Sequence, residues 1–151
     1  MTNDEHLSEY ITAMIGGQMF GLPILSVQDV FVPDRLTRVP LSQPEIAGVL
    51  NLRGRIVTLI DMRRRLGLEG QAQDGQVMAI GVESRGESYG LLIDSVGEVL
   101  KLDDRAREIS PINLDPRLAR VCVGIHRLDG QLLVVLDVDR ILDLGQPSMA
   151  A

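Results

Sequence analysis

The strongest constraint on this chain is that it repeats itself. Gly48–Leu68 reads GVLNLRGRIVTLIDMRRRLGL, and Gly124–Leu144 reads GIHRLDGQLLVVLDVDRILDL. Gly48 meets Gly124, Val49 meets Ile125, Leu52 meets Leu128, Gly54 meets Gly130 and Ile56 meets Leu132. Ile60 meets Leu136, Asp61 meets Asp137 and Leu66 meets Leu142. A fixed self-similarity of this kind means two copies of one supersecondary unit. The likeness extends upstream, where Phe20–Ile24 meets Tyr89–Ile93, Val27 meets Val96, Asp29 meets Glu98 and Val30 meets Val99. The second copy is longer between these two aligned parts, which places an extra loop within Leu102–Arg120.

Each repeated stretch reads as strand, turn, strand, helix. In the first, Arg53-Gly54 predicts a tight turn, because Gly adopts positive φ without steric cost. Ile56–Ile60 is apolar and largely β-branched, which suits a strand buried on both faces. Asp61 ends it as a helix N-cap, its carboxylate taking orphan amide protons. Met62 and Leu66 share one helical face, and Gly67 closes the helix as a C′ residue. So short a helix is not stable alone and must be a corner of a β structure. In the second copy Asp129-Gly130 is a strong hairpin signal.

The rest of the chain fits the same plan. Residues 1–9 form a polar leader, expected to be flexible. Tyr10–Ile15 and Met19–Leu25 are strands around Gly16-Gly17, with Pro23 predicting an edge or bulge position. Val27–Val32 is a strand closed by Pro33, Leu36–Val39 is extended, and Pro44–Ala47 suits one helical turn. Residues 69–76 read as a polar linker between repeats 10–68 and 77–144. Val77–Val82 and Ser88–Ile93 flank a turn at Ser84–Glu87. Leu102–Arg120 is polar enough to be an exposed loop, and 145–151 is a loose tail. Five short strands per copy predict small barrels, since closure removes sheet edges. Two such barrels should share a core at their junction.

Composition bounds the function. The chain has 151 residues and a net charge of −6, which argues against nucleic acid as the main partner. Aromatic residues are 3% and Trp is absent, so the core must be aliphatic. The one cysteine, Cys122, sits between valines and reads as a buried small hydrophobe in a reducing compartment. No signal peptide and no apolar run of membrane-spanning length occurs, so a cytoplasmic chain without direct membrane contact is expected.

Chemistry-bearing residues are few. His6 lies in the leader, and His126 reads as a surface or satisfied strand residue. No His/Cys/carboxylate cluster has metal spacing, and no phosphate-binding glycine motif or nucleophile elbow is present. Asp61 and Asp137 are equivalent caps and not an acid/base pair. An enzyme, a cofactor and a metal are therefore not expected. Arg53 stands apart, because its sister position holds Asp129, the ordinary turn residue. A guanidinium there suits recognition at an interface. Arg53, Arg55 and Arg63-Arg64-Arg65 give a basic cluster on an acidic chain, and the Arg63–Arg65 run is open between that cluster and a solvated helix face.

At these residues the sequence resembles a known family. NLRGRIVTLIDMRRRLGL is similar to the signature of CheW-like domains, the coupling proteins of bacterial chemotaxis, with Thr58 where proline is frequent. The likeness runs through FGLPILSVQDV, LTRVP, YGLLIDSVGEVLKL and LLVVLDVDRILDL, over roughly 10–144. It implies an all-β fold of two intertwined five-stranded SH3-like barrels, with short connecting helices and an apolar groove between the barrels, and leaves open whether strands are exchanged between the halves. It implies a non-catalytic adaptor between the cytoplasmic tip of methyl-accepting chemoreceptors and the regulatory domain of the histidine kinase CheA. Recruitment to membrane-associated receptor arrays follows. The family's interaction positions fall on Val27, Asp29, Gly48, Arg53, Gly54 and Val99, with Val27 and Val99 assigned to the groove. A regulatory domain of a CheA or CheV protein fits less well, given the Met leader and the absence of ATP-binding or receiver segments. A coupler or regulatory domain in a non-chemotaxis system, such as pilus motility, fits the same motifs.

Overall fold

The computed structural model describes residues 6–33, 44–68, 77–108 and 115–143. The expected strand at Leu36–Val39, the linker 69–76 and the tail 145–151 lie outside the described residues. The first repeat contributes β1 (Leu7–Ile15), β2 (Gln18–Pro23), β3 (Val27–Phe31), β4 (Ile46–Leu52), β5 (Arg55–Asp61) and α1 (Met62–Leu66). The second contributes β6 (Met78–Ser84), β7 (Glu87–Ile93), β8 (Ser95–Asp103), α2 (Pro116–Val121), β9 (Cys122–Leu128), β10 (Gln131–Leu136) and α3 (Val138–Leu142).

These strands form two five-stranded sheets, and neither belongs to one repeat. Sheet A has the order β8-β1-β2-β10-β9, and sheet B has β3-β6-β7-β5-β4. Replacing each strand by its repeat partner turns one order into the other, so the sheets are related by a pseudo-twofold. Each sheet is two antiparallel groups, one from each repeat plus an exchanged strand, joined by a parallel ladder. In sheet A, Val134 of β10 lies beside Phe20 of β2, and in sheet B, Leu59 of β5 lies beside Gly90 of β7. The intertwined all-β fold expected from the resemblance is what the chain adopts.

The strand pattern explains the packing. Alternate residues of β5 face opposite ways. Val57 and Leu59 join Leu50 in one cluster inside sheet B, while Ile60 joins the main core. Their sisters do the same, with Leu133 and Val135 beside Tyr10 inside sheet A, and Val134 and Leu136 in the main core. That main core draws Phe20 and Leu22 from one sheet, Ile80 and Leu91 from the other, and Leu66, Leu118 and Ile141 from the three helices. The junction core is therefore common property of both sheets. Cys122 is buried there.

Several details differ from expectation. Leu7–Glu9 are not a flexible leader, because they pair with Asp103, Leu102 and Lys101 at the end of β8. Pro23 is not on an edge strand. It ends the central β2, beyond the parallel ladder that covers only Met19–Gly21, so its missing amide breaks no bond there, and Ile24–Ser26 turn as a 3-10 helix. Pro44–Ala47 is not a helical turn. Ile46 already belongs to β4, and the Asp61 amide donates to the Glu45 carbonyl at 2.8 Å. The loop expected at Leu102–Arg120 holds α2, because Leu118 and Val121, three apart, bury one face against the main core. Ile56 is 62% exposed, so burial on both faces begins only at Val57.

The helices are caught by their ends. Asp61 Oδ1 accepts from the amides of Arg63 and Arg64 at 3.1 and 3.3 Å, and Asp137 Oδ1 accepts from that of Arg140 at 3.1 Å. At the C-termini the sisters diverge. Gly67 closes α1 in the left-handed region at φ 76°, and an added Cβ would meet Arg117 Nε of the neighbouring helix at 2.7 Å. α3 has no such glycine. Its last carbonyls are instead taken by Arg65, which is buried and donates from Nε to Ile141 O at 2.8 Å and from Nη2 to the carbonyls of Arg140 and Asp143 at 2.9 Å each. Burial draws the Arg65 pKa down, Glu45 opposes that, and the charge persists. Arg63 pairs with Asp94 at 2.7 Å, and Asp94 also accepts from the Gly16 amide at 2.9 Å. Only Arg64 of the three is mainly exposed, so the run is chiefly a structural clamp.

His126, on β9, is buried with its ring centroid 5.9 Å from that of Tyr10. The Tyr10 hydroxyl donates to Asp104 Oδ1 at 2.8 Å, and Ser8 Oγ donates to the other carboxylate oxygen at 2.5 Å. Burial first, and then Arg107, hold the His126 pKa below its ordinary value, against the smaller pull of Asp104 and Asp103.

Two expectations follow. Replacing Arg65 by Ala removes three hydrogen bonds to carbonyls at the end of α3, where charge-assisted bonds are worth about 1.5–3 kcal/mol each before water compensates. Urea unfolding should show a loss of about 3 kcal/mol, whereas Arg64→Ala should stay within about 0.5 kcal/mol. His126 binds its proton more weakly folded than unfolded. Its contribution is therefore present above the unfolded pKa of about 6.5 and is lost as pH falls through the lower folded value. Melting temperatures from pH 7.5 to 5 should fall more steeply for the wild type than for His126→Phe.

Candidate functional site

Five of the six residues assigned to partner contact belong to sheet B. Val27 and Asp29 lie on β3 at one end of the strand order, Gly48 lies on β4 at the other, and Arg53-Gly54 joins β4 to β5. Val99 is on β8 of sheet A. The six are thus not one patch.

Arg53 and Gly54 form the β4–β5 turn, flanked by the register pair Leu52 and Arg55. Both residues have positive φ, 56° and 84°, as a type I′ turn requires. Asn51 Oδ1 accepts from the Gly54 amide at 2.9 Å, which fixes the turn from inside. Gly54 therefore serves the backbone, and Arg53 is the residue whose side chain is on offer. A non-glycine side chain at positive φ costs about 1–2 kcal/mol, so turn stability does not select arginine here. Arg53 is exposed and makes no ion pair with a described carboxylate, whereas Arg63, Arg64, Arg105, Arg117 and Arg127 all do.

Gly48 is buried and has φ 154°, and the β4–β5 register slips between Ile46 and Gly48. Its sister Gly124, at φ 158°, sits at the matching slip between β9 and β10. Gly48 shapes a bulge and offers no surface of its own. Asp29 is half-buried over Gly81, its register partner on β6, where an added Cβ would collide with the carboxylate. Val27 packs against the main core. Val99 is 47% exposed, and its sister Val30 is 37% exposed. Val30, aligned with Val99 in the repeat, lies on the exposed face of β3, where Val27, Asp29 and Phe31 are partly buried and Gln28 and Val30 are exposed.

Two clefts flank the helical junction. One, of about 600 Å³, lies between the sheets and is lined by Tyr10, Leu25, Gln28, Glu83, Arg107 and Asp139, among others. The second, of about 560 Å³, is lined by Ile46, Thr58, Arg85, Tyr89, Leu142 and Asp143, among others. Neither Val27 nor Val99 lines either one, and both mix charged with apolar side chains. Among the described residues no group of three or more His, Cys, Asp or Glu side chains is arranged to hold a metal. Asp103 is held down to about 2 by hydrogen bonds from the Arg105 side chain and amide, and caps a turn. No helix among the described residues is long and apolar enough to cross a membrane.

Comparison with known proteins gives one answer. The chain is 28% identical over 134 residues to the chemotaxis protein CheW of Klebsiella aerogenes, covering 89% of this chain and 81% of that one. It is 27% identical over 140 residues to CheW of Helicobacter pylori, covering 93% and 84%. The crystal structure of the scaffolding protein TtCheW from Thermoanaerobacter tengcongensis superimposes with a TM-score of 0.82 at 25% identity, covering 94% of this chain and 97% of that one. The model of the CheW-like domain matches residues 9–146, so the chain belongs to the CheW-like domain family.

Proposed function

We propose that this protein is a non-catalytic chemotaxis adaptor in the cytoplasm that couples the tips of methyl-accepting chemoreceptors to the regulatory domain of the histidine kinase CheA. The observation that carries this reading is the family match, which spans nearly the whole described fold. The geometry supports it in two ways. A coupler must hold two partners at once, and the exposed features lie on different sheets. Arg53 stands at a hairpin of sheet B, whereas Val99 stands on β8, the outermost strand of sheet A. Their characters also differ. Val99, the one large apolar side chain exposed on β8, responds to shape and suits the apolar side of a receptor helical hairpin. A charged turn responds to salt and suits a directional contact with the kinase domain.

The test measures each of two variants against each purified partner, at low and high salt. Val99→Asp should weaken receptor binding, because it places a charge in an apolar contact. Arg53→Glu should weaken kinase-domain binding by about 2 kcal/mol, near thirtyfold. It keeps a side chain at the same positive φ, so stability should change by no more than about 0.5 kcal/mol. The Arg53-dependent part should shrink with salt, because exposed charges are screened over about 8 Å at physiological ionic strength. Equal loss of both partners in both folded variants would mean one shared surface and would refute the bridging arrangement.

A further inference from the structure

Sheet B carries a second arginine placed as Arg53 is. Among the described residues only two non-glycines have positive φ, and they are Arg53 at 56° and Arg85 at 54°. Each is the first central residue of a two-residue hairpin, followed by Gly54 at 84° or Gly86 at 81°. Asn and Gly fill this position readily, and arginine does not. The pseudo-twofold sharpens the point. The sister of Arg85-Gly86 is Gly16-Gly17, which takes the same turn with two glycines. The sister of Arg53-Gly54 is Asp129-Gly130, which holds positive φ only at its glycine. The scaffold therefore offers relaxed solutions at both places, and at the sheet B end the chain uses arginine instead. Backbone strain of this kind, where packing does not call for it, points to use of the side chain.

The two turns are also neighbours. The β4–β5 turn leads into β5, and the β6–β7 turn leads into β7, and these strands run parallel. Val57 lies beside Ser88, so following both strands back toward their starts brings Arg55 level with Gly86 and Gly54 level with Arg85. Arg53, Arg55 and Arg85 are all exposed and share this end of sheet B. None makes an ion pair with a described carboxylate. Glu87, two residues after Arg85, is engaged by the Tyr89 hydroxyl at 3.0 Å, and Asp139 and Asp143 line the cleft that Arg85 also lines without an ion pair to either. Ile56, 62% exposed, stands beside the trio on β5. The corresponding end of sheet A has Gly16, Gly17 and Asp129, and its Arg127 is bound to Glu108 at 2.7 Å.

We propose that Arg85 and Arg53, with Arg55 between them, form one cationic recognition edge across both hairpins of sheet B that takes an acidic protein surface. Three guanidinium groups at one end of a chain with net charge −6 favour carboxylates, which they can grip in bidentate fashion. The exposed Ile56 supplies the apolar neighbour that a protein contact has and a phosphate backbone does not use. This edge rests on the adaptor reading in that its physiological occupant would be the kinase domain. Its chemistry can be tested without that partner.

Arg85→Asn, Arg53→Asn and the double variant remove charge while fitting the turn better, with Arg64→Asn as a control for loss of one charge elsewhere. Each is measured for melting temperature, for affinity to the purified kinase regulatory domain, and for binding to poly-L-glutamate at low salt. The expected result is an unchanged or higher melting temperature for both turn variants. Kinase-domain affinity should fall about tenfold for Arg85→Asn and further for the double variant. The double variant should also lose poly-L-glutamate binding and most of its salt dependence, and Arg64→Asn should change neither. If the wild type binds poly-L-glutamate through Arg85 but does not bind the kinase domain, the edge stands and the adaptor reading falls. If it binds the kinase domain with no effect of Arg85→Asn, the adaptor reading stands and the edge falls. A drop in melting temperature for Arg85→Asn would make the residue structural and overturn the proposal. So would Arg85-dependent binding of duplex DNA with no effect on either acidic protein probe.

Discussion

The parallel ladders between the repeats are the constraint on which this fold depends. Antiparallel hairpins form locally, but β2 beside β10 and β5 beside β7 join strands more than a hundred and about thirty residues apart. Neither sheet can be assembled from one repeat. The junction core exists only once both ladders are in place, since it draws on strands of both sheets and on all three helices. Loop closure on that scale is entropically costly and is recovered only when the long-range contacts form. Two five-stranded units of this size would each bury little alone. Exchange makes them one cooperative body, so surfaces on different sheets are held at a fixed spacing.

The repeat was legible because both copies solve the same local problems with the same residues. Asp61 and Asp137 cap equivalent helices, and Gly48 and Gly124 occupy equivalent bulges. The Asp61 amide reaches the Glu45 carbonyl, and the Asp137 amide reaches that of Val121. Capping, turn chemistry and strand alternation act within a few residues, so the sequence displays them. Strand exchange stayed open even with the family resemblance, because no local property of β1 or β6 says which repeat completes its sheet. α2 was missed because its apolar face is only Leu118 and Val121 in a polar surround. Arg65 was missed because its partners are 75 or more residues away and are backbone carbonyls, which leave no trace in side-chain pattern.

For the candidate site the same reasoning divides the six assigned residues. Gly48 and Gly54 are dictated by backbone conformation, and Val27 by the core, so a match to the family at those positions speaks first of the fold. Arg53 and Val99 are exposed and have no internal work of that kind. The sequence singled out Arg53 by setting it against Asp129. The same comparison sets Arg85 against Gly16 at the other alignment offset, upstream of Phe20–Ile24 and Tyr89–Ile93, where the likeness of the copies begins to show.

Departures from the pseudo-twofold are therefore the informative positions, once those with an internal reason are removed. Gly67 has no glycine counterpart after α3, but the loss is made good by Arg65, which takes the carbonyls a glycine turn would have served. Asp94 faces Leu25 across the alignment, and Asp94 ties Arg63 and the Gly16 amide together. Both are repairs or fastenings within the protein. Arg53 and Arg85 make no ion pair with a described carboxylate. Each holds a charged side chain in a conformation that disfavours it, where a sister turn shows the relaxed alternative. Folding alone does not call for that strain, and this is why the proposed edge places the partner of these arginines outside the chain, on a surface that meets the end of sheet B.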